Sequence, residues 1–467
     1  MERYDLVILG GGAAAFAAAT EADRLGISTV IINDGLPMGG TCVNVGCMPT
    51  KYLLAVAGEL HNISYPRFAS IASSPPTFDF EKAMTEKDIL VTAARRKNYQ
   101  DILAGFGQVT WIEGRGSFCS ERVVQVGERK IEGEHILIAT GCRTKVYPTE
   151  GLAEAGFVTN QEALSLRKLP SSLVVLGGGP LGLEFAQIFA RFGTKVKVVE
   201  VAKRIAAMSE PEISEALCCY LEAEGIEFHT GVKILRVRKN GILKEVVVEK
   251  DGKEETVQGE EILVAAGVIG NIEGLNLEGI GIETEKGCNV KVNEYQQTNI
   301  PHIWAAGDVV CNFCLETVAA REGKMVVENA FKGMNKSIDF GSIPFAVFTD
   351  PEVAGVGFTE AQYMARYGTC DCRTIQMSQV PKAIAVNDAR GLVKMVAHHE
   401  TGKVMGVHIL APHAAEMIHE ATMAIRFGLT VDDLIETTHV FPTYCEAIKM
   451  AAQAFRRDIG RMSCCVE

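Results

Sequence analysis

Short runs of consecutive apolar residues mark the chain at Leu6–Leu9, Ile136–Ile138, Leu173–Leu176 and Ile262–Val264. Runs of this length without polar alternation predict strands buried on both faces, as in a parallel sheet, because alternation is what a half-exposed strand shows. Two of them, Leu6–Leu9 and Leu173–Leu176, pass at once into three glycines and then into apolar segments that read as helices, the second continuing through Phe192. A further strand follows each, Ser28–Ile32 and Lys195–Val199. Strand, glycine turn, helix and strand therefore occur twice, a repeat that loops alone rarely produce. Three more strand signals end in turns, at Ile136–Gly141, Ile262–Gly267 and Ile303–Asp308. From about Gly341 the pattern changes to strands (Phe345–Gly357, Gly391–Val396, Val404–Leu410) and amphipathic helices (His413–Phe427, Val431–Thr437), with no glycine turn of that kind.

The repeated unit is a dinucleotide fingerprint in its proper context. In the first copy Gly10 permits the tight turn and Gly12 lets the backbone approach a pyrophosphate. Ala13, Ala14 and Ala15 then open a helix whose N-terminus supplies partial positive charge. In the second, Gly177, Gly179 and Gly182 hold the same places. An acid at the end of the second strand ordinarily binds a ribose hydroxyl. Glu200 stands there in the second copy and suits NADH, whereas Lys203 and Arg204 suit the 2′-phosphate of NADPH, so both nucleotides stay open. In the first copy Asn33 takes that place, with Asp34 after it. The fold class expected is α/β, with two Rossmann-like dinucleotide-binding domains and an α+β C-terminal domain.

Length and composition narrow the class. A chain of 467 residues is too long for one core and predicts about three domains. A net charge of −12 speaks against nucleic-acid or anionic-membrane partners. No apolar run approaches the roughly eighteen residues of a membrane span, and Met1–Asp5 lacks the basic region of a signal peptide, so a cytoplasmic location is expected. The fourteen cysteines are too sparse for a disulfide scaffold. Cys311 and Cys314 have half of a zinc-ligand spacing, which falls short of a metal site without a second such pair.

The densest chemistry lies at Gly-Gly-Thr-Cys-Val-Asn-Val-Gly-Cys-Met-Pro-Thr-Lys, residues 39–51. Cys42 and Cys47 begin an apolar, helix-like run, and Lys51 falls one helical turn beyond Cys47. Amide dipoles and the lysine should both favour the Cys47 thiolate. The plain reading is two buried free thiols. The glycines before the pair and Pro-Thr-Lys after it make the run resemble the redox-active disulfide of the flavin-dependent pyridine nucleotide-disulfide oxidoreductases, a likeness that covers the whole chain. The resemblance implies FAD on the first fingerprint and NADH or NADPH on the second. The FAD site would include Gly40, Thr41, Lys51, Gly116, and Ala139, Thr140 and Gly141 of an Ala-Thr-Gly turn, with Gly267 in the corresponding turn of the other half. Asp308 would bind the ribitol. It implies a Lys51–Glu184 pair beside the flavin, Cys42 as interchange thiol and Cys47 as the thiol nearer the flavin. The domains would be 1–150 (FAD, first part), 151–270 (NAD(P)), 271–340 (FAD, second part) and 341–467, through which two subunits complete each other's active sites.

Two local departures point to one branch of that family. Its members that reduce organic disulfides use the histidine of His-Pro-Thr-x-x-Glu as a base; here the stretch is Phe441-Pro442-Thr443-Tyr444-Cys445-Glu446, and phenylalanine carries no proton. His439, two positions upstream, reads as structural. The chain ends with vicinal Cys464 and Cys465, and soft thiolates select soft metal ions. Together with Tyr99 in Lys97–Leu103, this resembles the branch that reduces mercuric ion. The metal ligands expected are Cys42, Cys47, Tyr99, Cys464 and Cys465, with Hg(II) arriving as a thiol complex on the partner subunit's tail. That branch commonly has tyrosine where Phe441 stands, and often an N-terminal metal-binding domain that is not expected here. The competing expectations are an organic disulfide reductase of the dihydrolipoamide dehydrogenase type and a non-catalytic, metal-sequestering flavoprotein.

Overall fold

The computed structural model describes residues 1–459 except 75, 312 and 370. The first apolar run becomes the strand Glu2–Leu9 at the centre of a seven-stranded sheet. Thr29–Asn33 and then Val109–Glu113 lie parallel on one side of it. Arg129–Ile138 lies parallel on the other. The first half of that long strand pairs antiparallel with Val123–Val126, and its last three residues pair parallel with Ile303–Ala305. Residues 303–305 thus return to a sheet begun some 300 positions earlier. Helices Ala13–Arg24 and Glu316–Lys332 pack together on one face of it. Gly323 allows their approach, since a Cβ there would lie 2.0 Å from the Ala14 carbonyl oxygen.

The second copy forms a four-stranded parallel sheet in the order Glu227–Thr230, Lys195–Glu200, Ser172–Leu176, Glu261–Val264. Helices Pro180–Arg191 and Pro211–Ala223 share a core with it. An antiparallel meander, Lys233–Asn240, Leu243–Lys250 and Lys253–Gly259, follows. These strands carry charges at many positions, which hides them from a search for continuous apolar runs. The last region is a five-stranded antiparallel sheet (Phe345–Val347, Glu352–Gly357, Val404–Ala411, Leu392–Ala397, Asp371–Gln376) covered by Ala414–Phe427 and Glu446–Gln453. A buried lysine ties it to the second sheet's region: Lys394 Nζ meets Glu210 at 3.2 Å and Glu212 at 2.9 Å there, and Glu360 of its own region at 2.6 Å. A buried ammonium is tolerated when so paired. Among the described residues no helix is long and apolar enough to cross a membrane.

Candidate active site

Both glycine turns take the conformation that the fingerprint requires. Gly10 has φ 111° and Gly177 φ 120°, and an added Cβ would lie 2.2 Å from the Ala139 carbonyl oxygen and 2.4 Å from that of Ala265, respectively. The helices that follow, Ala13–Arg24 and Pro180–Arg191, begin at Gly12 and Gly179 without side-chain caps. Their first amides are therefore free to meet an anion. At the ends of the second strands the two copies differ. Glu200 accepts from the Gly178 amide at 2.6 Å and from the Ala202 amide at 2.7 Å. Asn33 instead donates to the Leu36 carbonyl at 2.9 Å.

Above the first turn opens a cavity of about 880 Å³. It is lined by Gly10, Gly12, Ala13, Ala14, Asn33, Asp34, Gly40, Thr41, Gly116, Ala139, Thr140, Gly141 and Asp308, and by both Cys42 and Cys47. Gly40, at φ 62°, lies so close to Gly12 that a Cβ would come within 2.8 Å of the Gly12 Cα. Two bare backbones face each other there, a cradle that side chains would fill, and it fits the pyrophosphate of FAD. Ala15 sits one layer deeper, fully buried in the sheet-facing core.

The crossing between the two nucleotide regions is a small hydrogen-bonded knot. Cys142–Thr144 pairs antiparallel with Val268–Gly270. The Thr140 hydroxyl donates to the Asn271 carbonyl at 2.7 Å, and the Asn271 side chain returns a bond to the Thr140 carbonyl at 3.0 Å. Gly267 turns at φ 102° just before the other strand.

The cysteine-bearing segment forms two helices rather than one. Cys42 lies within Gly40–Val45, and Cys47 opens Cys47–Ser64. Gly46 makes the break, where a Cβ would lie 2.9 Å from the Thr41 carbonyl oxygen. Its effect is to fold Cys42 back towards Cys47. The Cys42 thiol is hydrogen-bonded to Cys47, and this chiefly draws the Cys47 pKa down to about 7, with Lys51 and the Cys47 amide assisting; the same contact pushes Cys42 up. The dominant cause is thus the neighbouring thiol, which sequence spacing does not reveal; the lysine and helix-start effects are secondary. Lys51 Nζ is held by Glu184 at 2.7 and 2.9 Å and lies 4.3 Å from the centre of the Phe348 ring.

Tyr99 sits in a π-helical turn, Arg96–Gln100, that continues the helix Phe80–Arg95. The turn brings its ring edge-on to Phe16 at 4.9 Å and against the Gly39 turn, where a Cβ would lie 2.9 Å from the ring. Burial, reinforced by the negative charges of Cys42, Glu316 and Cys47, pushes its phenol up to about 12. Glu316 lines the cavity at the start of Glu316–Lys332, a placement that no motif signals. Cys142 and Cys314 also line the cavity.

In the C-terminal region Phe441 is 54% exposed. Both ring nitrogens of His439 have partners, Glu420 at 2.7 Å and the Thr437 carbonyl at 3.0 Å. Glu420 holds its pKa above the usual value. Glu446 accepts from the Thr443 amide at 3.1 Å, and the Tyr444 ring lies 5.6 Å from that of His413. Cys464 and Cys465 lie outside the described residues.

Comparison with known proteins supplies the frame for this geometry. Residues 4–332 match the pyridine nucleotide-disulphide oxidoreductase family, and residues 343–452 match its dimerisation domain. A mercuric reductase of Streptomyces lividans is 40% identical, the match covering 99% of this chain and 98% of that one. The mitochondrial dihydrolipoyl dehydrogenase of Pisum sativum is 36% identical over 97% and 91% of the two chains. Among solved structures, the Cu(II) complex of the HOCl-induced flavoprotein disulfide reductase RclA from Escherichia coli aligns with a TM-score of 0.86 at 27% identity, covering 97% of this chain and all of that one. The chain belongs to the pyridine nucleotide-disulphide oxidoreductases. It is accordingly an FAD- and NAD(P)H-dependent oxidoreductase with two Rossmann-like domains and a dimerisation domain.

Proposed function

We propose that this member of the family reduces Hg(II) to Hg(0) with electrons from NADH or NADPH, as a homodimer in the cytoplasm. FAD, when bound over Gly10–Ala15, Gly40, Thr41, Gly116, Ala139–Gly141 and Asp308, supplies the two-electron link between the nicotinamide and sulfur. In the reading we propose, residues 1–150 and 271–340 form the flavin domain, 151–270 the NAD(P) domain, and 341–467 the dimer domain.

The rest is the work of side chains. A Cys42–Cys47 disulfide takes up two electrons and opens to a thiol pair. Cys47 then bears the thiolate at neutral pH because its neighbour donates a hydrogen bond to it. Cys464 and Cys465 of the other subunit bring Hg(II), which passes to Cys42 and Cys47 by exchange of one thiolate ligand for another, beside Tyr99. Two further electrons reach the metal, which leaves as Hg(0); the Cys42 sulfur takes back the proton it gave up on binding the metal, and Cys47 stays the thiolate. Once the disulfide is open, each turnover converts one NAD(P)H, one Hg(II) bis-thiolate and one proton into NAD(P)+, Hg(0) and two free thiols. Glu184 holds Lys51 near the pair, so that its charge favours thiolate over thiol.

The observation that carries this reading is the position at which organic disulfide reductases need a base. It is occupied by exposed Phe441, and the imidazole two positions upstream, His439, is engaged through both nitrogens. A metal held by two thiolates needs no such base, whereas a dithiol product does. The relatedness to dihydrolipoyl dehydrogenase favours a second reading, an organic disulfide reductase that uses the His439–Glu420 pair. Anaerobic NAD(P)H oxidation with Hg(II) and excess small thiol, trapping volatile mercury, tests the first; lipoamide turnover tests the second. If Hg(II) binds at fixed stoichiometry and nicotinamide is not consumed, mercury reduction is ruled out.

A further inference from the structure

A second pair of thiols stands just ahead of the helix Glu316–Lys332, and the scheme above does not use it. Cys311 Sγ lies 3.5 Å from Cys314 Sγ. Cys314 is exposed at the cavity wall, and Cys311 is half-buried. Cys311 takes a left-handed backbone (φ 59°), which is costly for a residue with a Cβ and is a conformation that gathers at functional sites. The spacing that read as half of a zinc site thus sets two sulfurs against each other.

The two thiols differ in chemistry. A hydrogen bond from Cys142, whose Sγ lies within 4.8 Å of that of Cys314, is the chief cause that draws the Cys314 pKa down. The Cys311 contact adds to it, against burial and the carboxylates of Asp308 and Glu322. Burial, then the Cys314 contact, push Cys311 up to about 12. Cys314 is therefore the readier source of thiolate, the form that oxidants meet. An accessible, acidified cysteine beside a second thiol able to resolve it is the arrangement of a redox-sensing pair. From 3.5 Å, small side-chain rotations bring two sulfurs to the roughly 2 Å of a disulfide.

We propose that Cys314 and Cys311 form a second redox pair, which hydroperoxides oxidise to a disulfide, with Cys314 attacked first and Cys311 resolving it. The Cys314 thiolate attacks a peroxide oxygen; an S–O bond forms, the O–O bond breaks, and hydroxide leaves to take up a proton. The Cys311 sulfur then displaces the hydroxyl of the sulfenic acid; the S–S bond forms, the S–O bond breaks, and water leaves with the Cys311 proton. In sum, two thiols and one hydrogen peroxide give one disulfide and two waters, the sulfurs losing the two electrons that the peroxide gains. The bond joins two side chains of the wall, so it takes no room from FAD and leaves Asp308 to the ribitol. Peroxide is scarcely larger than water and needs little space to enter. The inference goes beyond the proposed function and does not depend on mercury reduction.

The test uses the full-length, FAD-loaded protein with Cys42, Cys47, Cys464 and Cys465 all replaced by alanine, and hydrogen peroxide as oxidant. After brief exposure, alkylation under denaturing conditions and peptide mass mapping should show one Cys311–Cys314 disulfide per subunit, reversed by dithiothreitol, with FAD still bound before denaturation. Cys311→Ser should leave a sulfenic acid on Cys314 that dimedone traps. Cys314→Ser should slow oxidation of Cys311 by at least about tenfold, because a thiol reacts far less readily than a thiolate. Cys311 and Cys314 both still alkylated, a Cys142–Cys314 link in place of theirs, or a link formed only after FAD has left would each overturn the pair. Dimedone on Cys311 of the Cys314→Ser variant at an undiminished rate would overturn the order of attack. The map of the unsubstituted pair decides the matter even if a serine variant fails to hold FAD. Because this background lacks the thiols of the catalytic scheme, its outcome is separate from whether the native protein reduces mercury.

Discussion

The two fingerprint regions begin alike and part company within thirty residues. Each has a central parallel strand, a glycine at strongly positive φ against a neighbouring carbonyl, and an uncapped helix. After its second strand, however, the first region continues into Gly39–Lys51, where glycines and two cysteines bend two helices around the mouth of the cavity. The second continues into a loop that ties Glu200 to its own backbone, then through helix Pro211–Ala223 and strand Glu227–Thr230 into a charged meander. The same turn leaves free helix amides in both, and only the first opens onto a cavity that two cysteines line. The shared backbone geometry suits a nucleotide in each; the inserted segment is what adds a thiol pair to the first.

This contrast can be broken most severely at the thiols. Cys42→Ala with Cys47→Ala should lower NAD(P)H-driven metal or disulfide turnover by at least about 10³-fold, the scale of losing a covalent participant. FAD absorbance should stay, since both turns are untouched. Loss of flavin in that variant would mean the thiols are structural.

Next come the turns. Gly10→Val adds left-handed strain of about 1–2 kcal/mol and an overpacking cost of about 1–3 kcal/mol against the Ala139 carbonyl, so FAD affinity should fall about 10²-fold or more. Gly177→Val imposes the same penalty against Ala265, yet the protein should remain yellow while its rate of reduction by NAD(P)H drops by about 10- to 100-fold. Rapid-mixing spectroscopy distinguishes the two. If Gly177→Val also released FAD, the regions would not be independent.

A subtler effect concerns protons. With the Cys47 pKa drawn down to about 7, its thiolate should be present above that pH and lost as pH falls through it. The long-wavelength absorbance that a thiolate lends to bound FAD in the two-electron-reduced protein should follow that titration. Cys42→Ala, read with oxidised FAD and no added reductant because it has no disulfide to reduce, loses the main stabilising contact, so the midpoint should move upward, toward the ordinary thiol range; Lys51→Met, read in the two-electron-reduced protein, should move it the same way by less. A midpoint unchanged in Cys42→Ala would refute the account of Cys47.

The smallest change is expected at Glu200. Glu200→Gln keeps one acceptor for the Gly178 and Ala202 amides and loses the charge, so KM should change only a few-fold, consistent with about 1 kcal/mol for a single hydrogen bond. The ratio of NADPH to NADH efficiency should rise if the carboxylate disfavours a 2′-phosphate.

Much of this architecture is legible in the order of the residues. Glycine spacing after an apolar run announces a nucleotide turn because strongly positive φ is open to glycine and closed to side chains, a local rule. Continuous apolar strands announce parallel sheets, which is also local. Less visible are features made by long-range closure. The charged meander at 233–259 shows no apolar run. Cys42 and Cys47 are near in sequence, but which of them bears the charge depends on the Gly46 break that turns one thiol onto the other. Tyr99 comes within range of the pair's charge through a π-turn that sets its ring against Phe16 and Gly39. Cys142, Asp308, Cys314 and Glu316 share the cavity wall because residues 303–305 rejoin a sheet begun at residue 2. Neighbouring residues are therefore enough to specify the two nucleotide units and the reactive pair, since each depends on local steric allowance and local chemistry. The ionisation of that pair and the gathering of the remote thiols follow only from three-dimensional closure, because hydrogen bonds and charges act over a few ångströms of space whatever the distance along the chain.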